Sequence, residues 1–240
     1  MTHRCLLVGA VCLTLGIGAS GQEQPQPRVV DPGSATKAPS DAIVLFDGSS
    51  LSHWTTRDGN PVKCQIEPGA LACTTGAGDL YSKEKFRNAQ IHVEFAIPHM
   101  PNQKGQLKGN SGVYLQGLYE VQVLDSYNNP TYANGSAGAL YGQYAPLVNA
   151  SRPPEQWQTY DIVFHAPVCD SAGSITQKGR LTLLHNGVLV QDHVEILKAP
   201  ASAASRQCEP GPLMLQDHSG FKDAPNTTMR FRNIWLRNLD

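Results

Sequence analysis

Short stretches in which apolar and polar residues alternate dominate the chain. The plainest lie at 90–97, 112–116, 119–124, 160–164 and 180–184. Alternation with a period of two places one set of side chains on each face of a strand, so each stretch predicts a half-buried β-strand. No sustained helical spacing of apolar residues accompanies them. The pattern therefore predicts an all-β chain.

Turn-forming residues separate these stretches and favour antiparallel pairing. Asn186-Gly187 lies between two apolar runs, and this dipeptide supplies the two positive-φ positions of a type I′ hairpin turn. A first strand is predicted over 43–46 and a last one over 229–236. About ten to twelve strands with turn residues between them favour a two-sheet antiparallel jelly-roll sandwich over any α/β layout.

The start of the chain differs in composition from the rest. Residues 1–20 carry a basic start, an apolar run and then small residues, the order of a secretory signal peptide. Residues 21–41 contain four prolines and few apolar residues, which predicts a disordered linker. Residues 42–240 are then one predicted domain. No later segment is apolar enough for a membrane span, so we expect a secreted or periplasmic protein.

The cysteines predict two disulfides. Two of the six lie in the predicted signal peptide, and the other four would meet an oxidising compartment after export. Cys64 and Cys73 flank a turn-like segment and would face each other across a hairpin, which leaves Cys169 with Cys208. The competing interpretation, a zinc site, requires closely spaced pairs such as C-x-x-C, and the chain has none.

The charge balance excludes one class of partner. The formal net charge is −1, so no electrostatic footprint for nucleic acid or an anionic membrane is expected.

Six short motifs, in the same order along the chain, indicate a resemblance to a known family. They are LFDG at 45–48, GNSGVYL at 109–115, YEVQVLD at 119–125, HNG at 185–187, GPLMLQDH at 211–218 and RFRNIW at 230–235. Together they resemble the 3-keto-disaccharide hydrolase family over residues 43–240. The resemblance implies a concanavalin A-like jelly roll and an enzyme whose substrates are oligosaccharides or glycosides oxidised to a ketone at C3. The family pattern has an Arg where this chain has Gln116.

Two positions are predicted to be catalytic. Glu120 shares a strand face with Gln122, and a carboxylate beside an amide can meet sugar hydroxyls and support proton transfer. The competing interpretation is a solvated outer face. His218 titrates near neutral pH and suits a general base, with Asp217 orienting it or binding a divalent cation such as Ca²⁺ or a transition metal. A plain surface turn is the alternative there.

Other residues are predicted to bind substrate. Arg230 and Arg232 share a face of the last strand, where guanidinium groups could hold sugar oxygens or keep Glu120 ionised; solvated edge charge is the alternative. Tyr114 could stack on a pyranose ring, although a core position is common for such aromatics. A long insertion between 124 and 157 would shape the rim of the site. The full set of predicted substrate-binding residues is Asn110, Tyr114, Gln122, Gln216, Arg230 and Arg232.

The implied chemistry is an elimination. A ketone at C3 acidifies the C2 proton, whose removal expels the glycosidic oxygen at C1, and water can then add back. Both steps together give hydrolysis, and the first alone gives a lyase. An ordinary glycosidase would need two carboxylates flanking the bond. The alternative function is a non-catalytic, lectin-like carbohydrate-binding module. A monomer is expected.

Overall fold

The computed structural model describes residues 25–200, 205–220, 223 and 225–240. The predicted signal peptide therefore lies outside the described residues.

Strands account for nearly all of the regular structure in the described residues. The strands are β1 (Ile43–Phe46), β2 (Trp54–Thr55), β3 (Gln65–Glu67), β4 (Ala70–Thr74), β5 (Leu80–Phe86), β6 (Ala89–Ala96), β7 (Asn110–Leu115), β8 (Tyr119–Leu124), β9 (Gln158–His165), β10 (Val168–Cys169), β11 (Ile175–Gln177), β12 (Arg180–His185), β13 (Val188–Glu195), β14 (Gly211–Leu215) and β15 (Thr228–Asn238). Short 3-10 turns occur at Gly105–Leu107, Ala133–Gly135 and His218–Gly220.

The strands form two main antiparallel sheets. The large sheet has the order β13-β12-β9-β6-β15-β4-β3, with β1 also paired to β15. The small sheet has the order β2-β5-β14-β7-β8, and β10 and β11 form a separate pair. The predicted all-β jelly-roll sandwich is confirmed. The short strands β2, β3, β10 and β11 were not predicted, because two or three residues carry no readable alternation, and β4 and β5 were not predicted either.

The core lies between the large and small sheets. Tyr119, Val121 and Val123 of the small sheet are buried in it, as are Ile91 and Val93 of the large sheet. Burial of each such side chain contributes about 1.5–3 kcal/mol. Because side chains alternate along a strand, the intervening residues of β8 and β6 are directed to the two outer faces.

The predicted hairpin is present between β12 and β13. His185 pairs with Val188, so the loop has two residues, and Asn186 and Gly187 have φ of 53° and 79°. Positive φ at both positions is what a type I′ turn requires.

Part of the predicted linker is hydrogen-bonded. Ser34 and Lys37 form an isolated antiparallel bridge, and the Ser40 amide donates to the Asp31 carbonyl at 3.0 Å. The Asn233 side chain on β15 donates to the Ala35 carbonyl at 3.2 Å. Polar groups hold this turn, which is why a composition argument based on scarce apolar residues did not reveal it.

Two disulfides join the cysteines as predicted. Cys64 bonds Cys73 with their Cα atoms 4.5 Å apart, and Cys169 bonds Cys208 with Cα atoms 5.9 Å apart. Among the described residues, no helix has the length and apolar character that a membrane crossing demands.

Removing the longer-range disulfide should destabilise the protein more than removing the shorter one. Cys169 and Cys208 are 39 residues apart and Cys64 and Cys73 only 9. Loss of the restraint on the unfolded chain should cost about 4 kcal/mol for the first pair and about 1 kcal/mol less for the second. Urea unfolding of the two Cys→Ala double variants measures both costs. The reverse order would contradict the entropic explanation.

Candidate functional site

A row of side chains crosses the outer face of the small sheet. Tyr81 of β5 pairs with Met214 of β14, Met214 pairs with Tyr114 of β7, and Tyr114 pairs with Glu120 of β8. Directly paired residues have side chains about 5 Å apart on the same face. The antiparallel register therefore sets Glu120 beside Tyr114.

The loop after β8 extends this row by one residue. Val121 forms an antiparallel bridge with Leu140, and the Tyr141 amide donates to the Glu120 carbonyl at 2.9 Å. Leu140 and Val121 belong to the core, so Tyr141 and Glu120 share the outer face. We call Tyr81, Met214, Tyr114, Glu120 and Tyr141 the Glu120 row.

The Glu120 carboxyl has an unusual environment. The Tyr114 hydroxyl donates to its Oε2 at 2.8 Å, and the Gln216 amide nitrogen donates to that hydroxyl at 3.1 Å. Burial raises the pKa of Glu120 to about 7, and the Tyr114 hydrogen bond opposes the shift. Burial and the Glu120 charge raise the pKa of Tyr114, so its hydroxyl stays protonated. The pair is a carboxyl that titrates near neutral pH and a permanent donor.

Gly112 of β7 keeps space for this pair. It pairs with Gln122, one row away from Tyr114 and Glu120. A Cβ at this position would lie 2.7 Å from the Tyr114 ring and 2.8 Å from Glu120 Oε1. Any larger residue here would displace one partner or the other.

Two tyrosines of the insertion border Glu120. The hydroxyls of Tyr132 and Tyr141 are hydrogen-bonded, and their rings are 6.3 Å apart at 64°. These residues are 48% and 37% exposed, so both present aromatic surface to solvent. The sequence predicted a loop at the rim but not these residues, because the bridge that positions Tyr141 joins residues distant along the chain.

Asn110 and Gln122 anchor loops. The Gln122 amide nitrogen donates to Gln106 Oε1 at 3.0 Å and to the Gly135 carbonyl at 3.3 Å. Asn110 Nδ2 donates to the Gln106 carbonyl at 2.9 Å. The predicted substrate-binding pair thus holds the turns at Gly105–Leu107 and Ala133–Gly135 in place.

His218 and Gln216 line a small cleft with Asn110 and Asp217. Burial lowers the pKa of His218, and the Asp217 charge opposes this effect. The cleft adjoins the Glu120 row because Gln216 reaches Tyr114.

Asp217 does not have the surroundings predicted for a cation ligand. Its carboxylate accepts hydrogen bonds from the Gly78 amide at 2.8 Å, the Gly76 amide at 3.0 Å and the Ser219 hydroxyl at 2.9 Å. No group of three or more His, Cys, Asp or Glu that could hold a metal occurs in the described part of the chain. Asp217 therefore fixes the loop after β4 through the hydrogen bonds from the Gly76 and Gly78 amides.

Arg230 and Arg232 lie on the other side of the sandwich. Phe231 between them is in the core, so both arginines project from the outer face of the large sheet. Arg230 Nε is 2.7 Å from Glu67, and Arg232 Nε is 2.7 Å from Glu94. The prediction that they hold Glu120 ionised is wrong, because the whole core separates them from it.

Gln116 also lies away from the Tyr114–Glu120 pair. Its φ of 54° places it in the turn after β7, and its side chain is buried. The amide nitrogen donates to the carbonyls of Glu209 at 2.9 Å and Phe86 at 3.4 Å. The Gln116 side chain therefore links the main chain at the end of β5 to the main chain just before β14.

The chain is similar to a known family and to solved structures. The family profile of the 3-keto-alpha-glucoside-1,2-lyase-like domain matches residues 41–237. A crystal structure of a proposed glycosyl hydrolase from Parabacteroides distasonis is 41% identical with a TM-score of 0.83, over 92% of this chain and 95% of that chain. A second one from that organism, 19% identical over 83% of this chain and 94% of that chain, has a TM-score of 0.59 and shows the same fold. Comparison with curated proteins finds no match.

The titration of Glu120 should be observable directly. By carboxyl-carbon NMR we expect a pKa of about 7. Tyr114→Phe should raise this pKa further, because the substitution removes a donor that favours the carboxylate. The folded state holds the proton more tightly than the unfolded chain, so stability should fall as pH rises from 4.5 to about 7.

Two variants control this measurement. Tyr127→Phe removes an exposed hydroxyl that belongs to no part of the Glu120 row and should leave the titration unchanged. Glu120→Gln should abolish about 3 kcal/mol of pH-dependent loss of stability, the equivalent of a pKa shift from 4.5 to about 7. A Glu120 that titrates near the usual value for glutamate would refute the buried environment.

Proposed function

Because the chain belongs to the family of 3-keto-alpha-glucoside-1,2-lyase-like domains, we propose that it cleaves 3-keto-glycosides by elimination at C1. The observation that carries this proposal is the Tyr114–Glu120 pair, in which a buried carboxyl with a pKa of about 7 touches a permanent donor. Efficient proton transfer needs a group whose pKa lies near the working pH. Glu120 meets this requirement.

Glu120 is the proposed base for the C2 proton. As a carboxylate it takes this proton, and the electrons of the C2–H bond form an enolate with the C3 ketone. The enolate then collapses, a C1–C2 double bond forms, and the bond from C1 to the glycosidic oxygen breaks. Addition of water across the double bond completes a hydrolysis, with the proton on C2 and the hydroxyl on C1.

Tyr114 is the proposed acid for the departing oxygen: it gives its hydroxyl proton to that oxygen and takes the C2 proton from Glu120 across their hydrogen bond, so the C2 proton is balanced by the proton on the leaving group. Its hydroxyl is neutral because its pKa is raised, and Gln216 donates to it and so fixes its orientation. A donor directed at the atom where negative charge develops stabilises the transition state. His218, in the cleft on the far side of Gln216, is assigned to substrate binding.

The exposed rings of Tyr132 and Tyr141 are the proposed sugar platform. Aromatic faces pack against the apolar side of a pyranose, and tyrosine adds a polar tip. Tyr141 is next to Glu120 in the row, so a sugar stacked there has its C2 near the base.

The protein is also proposed to be exported and to act as a monomer. Its two disulfides are compatible with an extracytoplasmic location.

The deciding experiment uses a 3-keto-glucoside and its unoxidised parent, followed by mass spectrometry. We expect cleavage of the keto form alone, with a rate that rises as pH increases through about 7 because the carboxylate is the active form. Glu120→Gln should lose about 10²–10⁴-fold in kcat while still binding the substrate. The His218→Ala variant should change KM more than kcat.

Other outcomes have definite meanings. Binding of the sugars without turnover by the wild-type protein would move this chain to the lectin-like class. Cleavage of the unoxidised parent would favour a conventional glycosidase instead. Full activity of Glu120→Gln would exclude Glu120 as the base.

Removing an aromatic ring of the platform should weaken substrate binding but change the rate of the chemical step little. Tyr141→Ala should raise KM about tenfold and change kcat little, because stacking on one ring contributes roughly 1 kcal/mol or more. Tyr127→Ala, an exposed tyrosine outside the row, is the matched control. A Tyr141→Ala variant with unchanged KM would contradict the platform.

A further inference from the structure

A groove at the β5 end of the Glu120 row is lined by four cations and by no acidic residue. Arg57, Lys83, Lys85 and Arg206 line it, and Tyr81 of the Glu120 row is part of its wall. Its volume of about 470 Å³ lies within the usual range for ligand sites, roughly 300–1,000 Å³. We call it the basic groove.

The cations of the basic groove form no ion pairs among the described residues. Elsewhere, buried or half-buried cations such as Lys108, Arg232 and Arg237 lie against a carboxylate. The four groove cations are exposed, and none of them has an ion-pair partner within the described ranges. In a chain whose formal net charge is −1, such a concentration of positive charge in one groove is a local feature of the fold.

Arg57 is held in position by a neutral group. Its Nη2 and Nε donate to the Tyr81 hydroxyl at 2.9 and 3.2 Å, and the guanidinium lies 5.7 Å from the Tyr81 ring centre. Asp58 and Asp79 interact with Arg57 through charge, but neither lines the groove. The guanidinium thus keeps donors for a ligand.

The basic groove and Glu120 share one face of one sheet. Tyr81, Lys83 and Lys85 alternate with the buried Leu80, Ser82 and Phe86 and the half-buried Glu84 of β5, so they project from the outer face of the small sheet. From Tyr81 to Glu120 the row crosses β14 and β7, which is three strand spacings or roughly 14 Å. A short oligosaccharide can span this distance.

We propose that the basic groove binds a carboxylate or sulfate group on a glycan that extends along this face toward Glu120. Lysine and arginine are the side chains that recognise such oxyanions, with arginine offering a planar pair of donors. The confinement of the charge to one groove disfavours a long polyanion such as nucleic acid. Anion binding stands independently of the proposed function, and only the extension toward Glu120 rests on it.

The test measures binding by calorimetry with three probes at low salt: trigalacturonate, a sulfated heparin tetrasaccharide and neutral maltotriose. All are also measured on Glu120→Gln, so that the result does not depend on turnover. We expect at least one anionic probe to bind more tightly than maltotriose and to be released by salt. The two anionic probes distinguish a carboxylate from a sulfate.

Charge reversal locates the site. The Lys83→Glu/Lys85→Glu variant should weaken anion binding about tenfold or more, since it removes two attractive charges and places two repulsive ones beside the anion. The control Lys63→Glu/Lys104→Glu makes the same change in net charge outside the groove and should have little effect. Equal weakening by both variants would overturn the proposal. So would tighter binding of maltotriose, or no binding of either anionic probe.

Discussion

The buried alternation of β8 is the constraint on which the candidate site depends. Tyr119, Val121 and Val123 are held in the core, so Glu120 and Gln122 must face outward. A slip of one residue in the pairing of β7 and β8 would exchange the two sets and place a carboxyl among apolar side chains. The free energy of core packing therefore also maintains the geometry of the polar face.

Two buried or half-buried carboxyls on opposite faces are stabilised differently. Glu94, on the large sheet, receives Arg232 Nε at 2.7 Å and Asn233 Nδ2 at 2.9 Å. Glu120 accepts a hydrogen bond from the Tyr114 hydroxyl and has no ion-pair partner among the described residues, so burial dominates and its pKa rises. A neutral donor such as the Tyr114 hydroxyl leaves the Glu120 proton exchangeable near neutral pH. The second arrangement suits acid–base chemistry.

The outer face of the small sheet is divided along its strands. The β8 end combines the titrating carboxyl with the exposed rings of Tyr132 and Tyr141. The β5 end carries the basic groove, where the Arg57 guanidinium donates a hydrogen bond to the Tyr81 hydroxyl. Aromatic surface and positive charge recognise different parts of a glycan. Under the two proposals, this division would let one face bind a substrate that extends beyond the bond at which it reacts.

Local sequence pattern was sufficient to predict much of the secondary structure and the disulfide pairing of this molecule. Alternation predicted the main strands and the shared face of Glu120 and Gln122, Asn186-Gly187 predicted the hairpin, and the cysteine spacing predicted both disulfides, because each depends on neighbours close in sequence or on elimination among few partners. Only the tertiary structure decided that Tyr141 lies beside Glu120 and that Arg230 lies across the core from it. Those facts follow from which strands pair and which sheet each joins, and the periodicity of one strand contains no information about its partners.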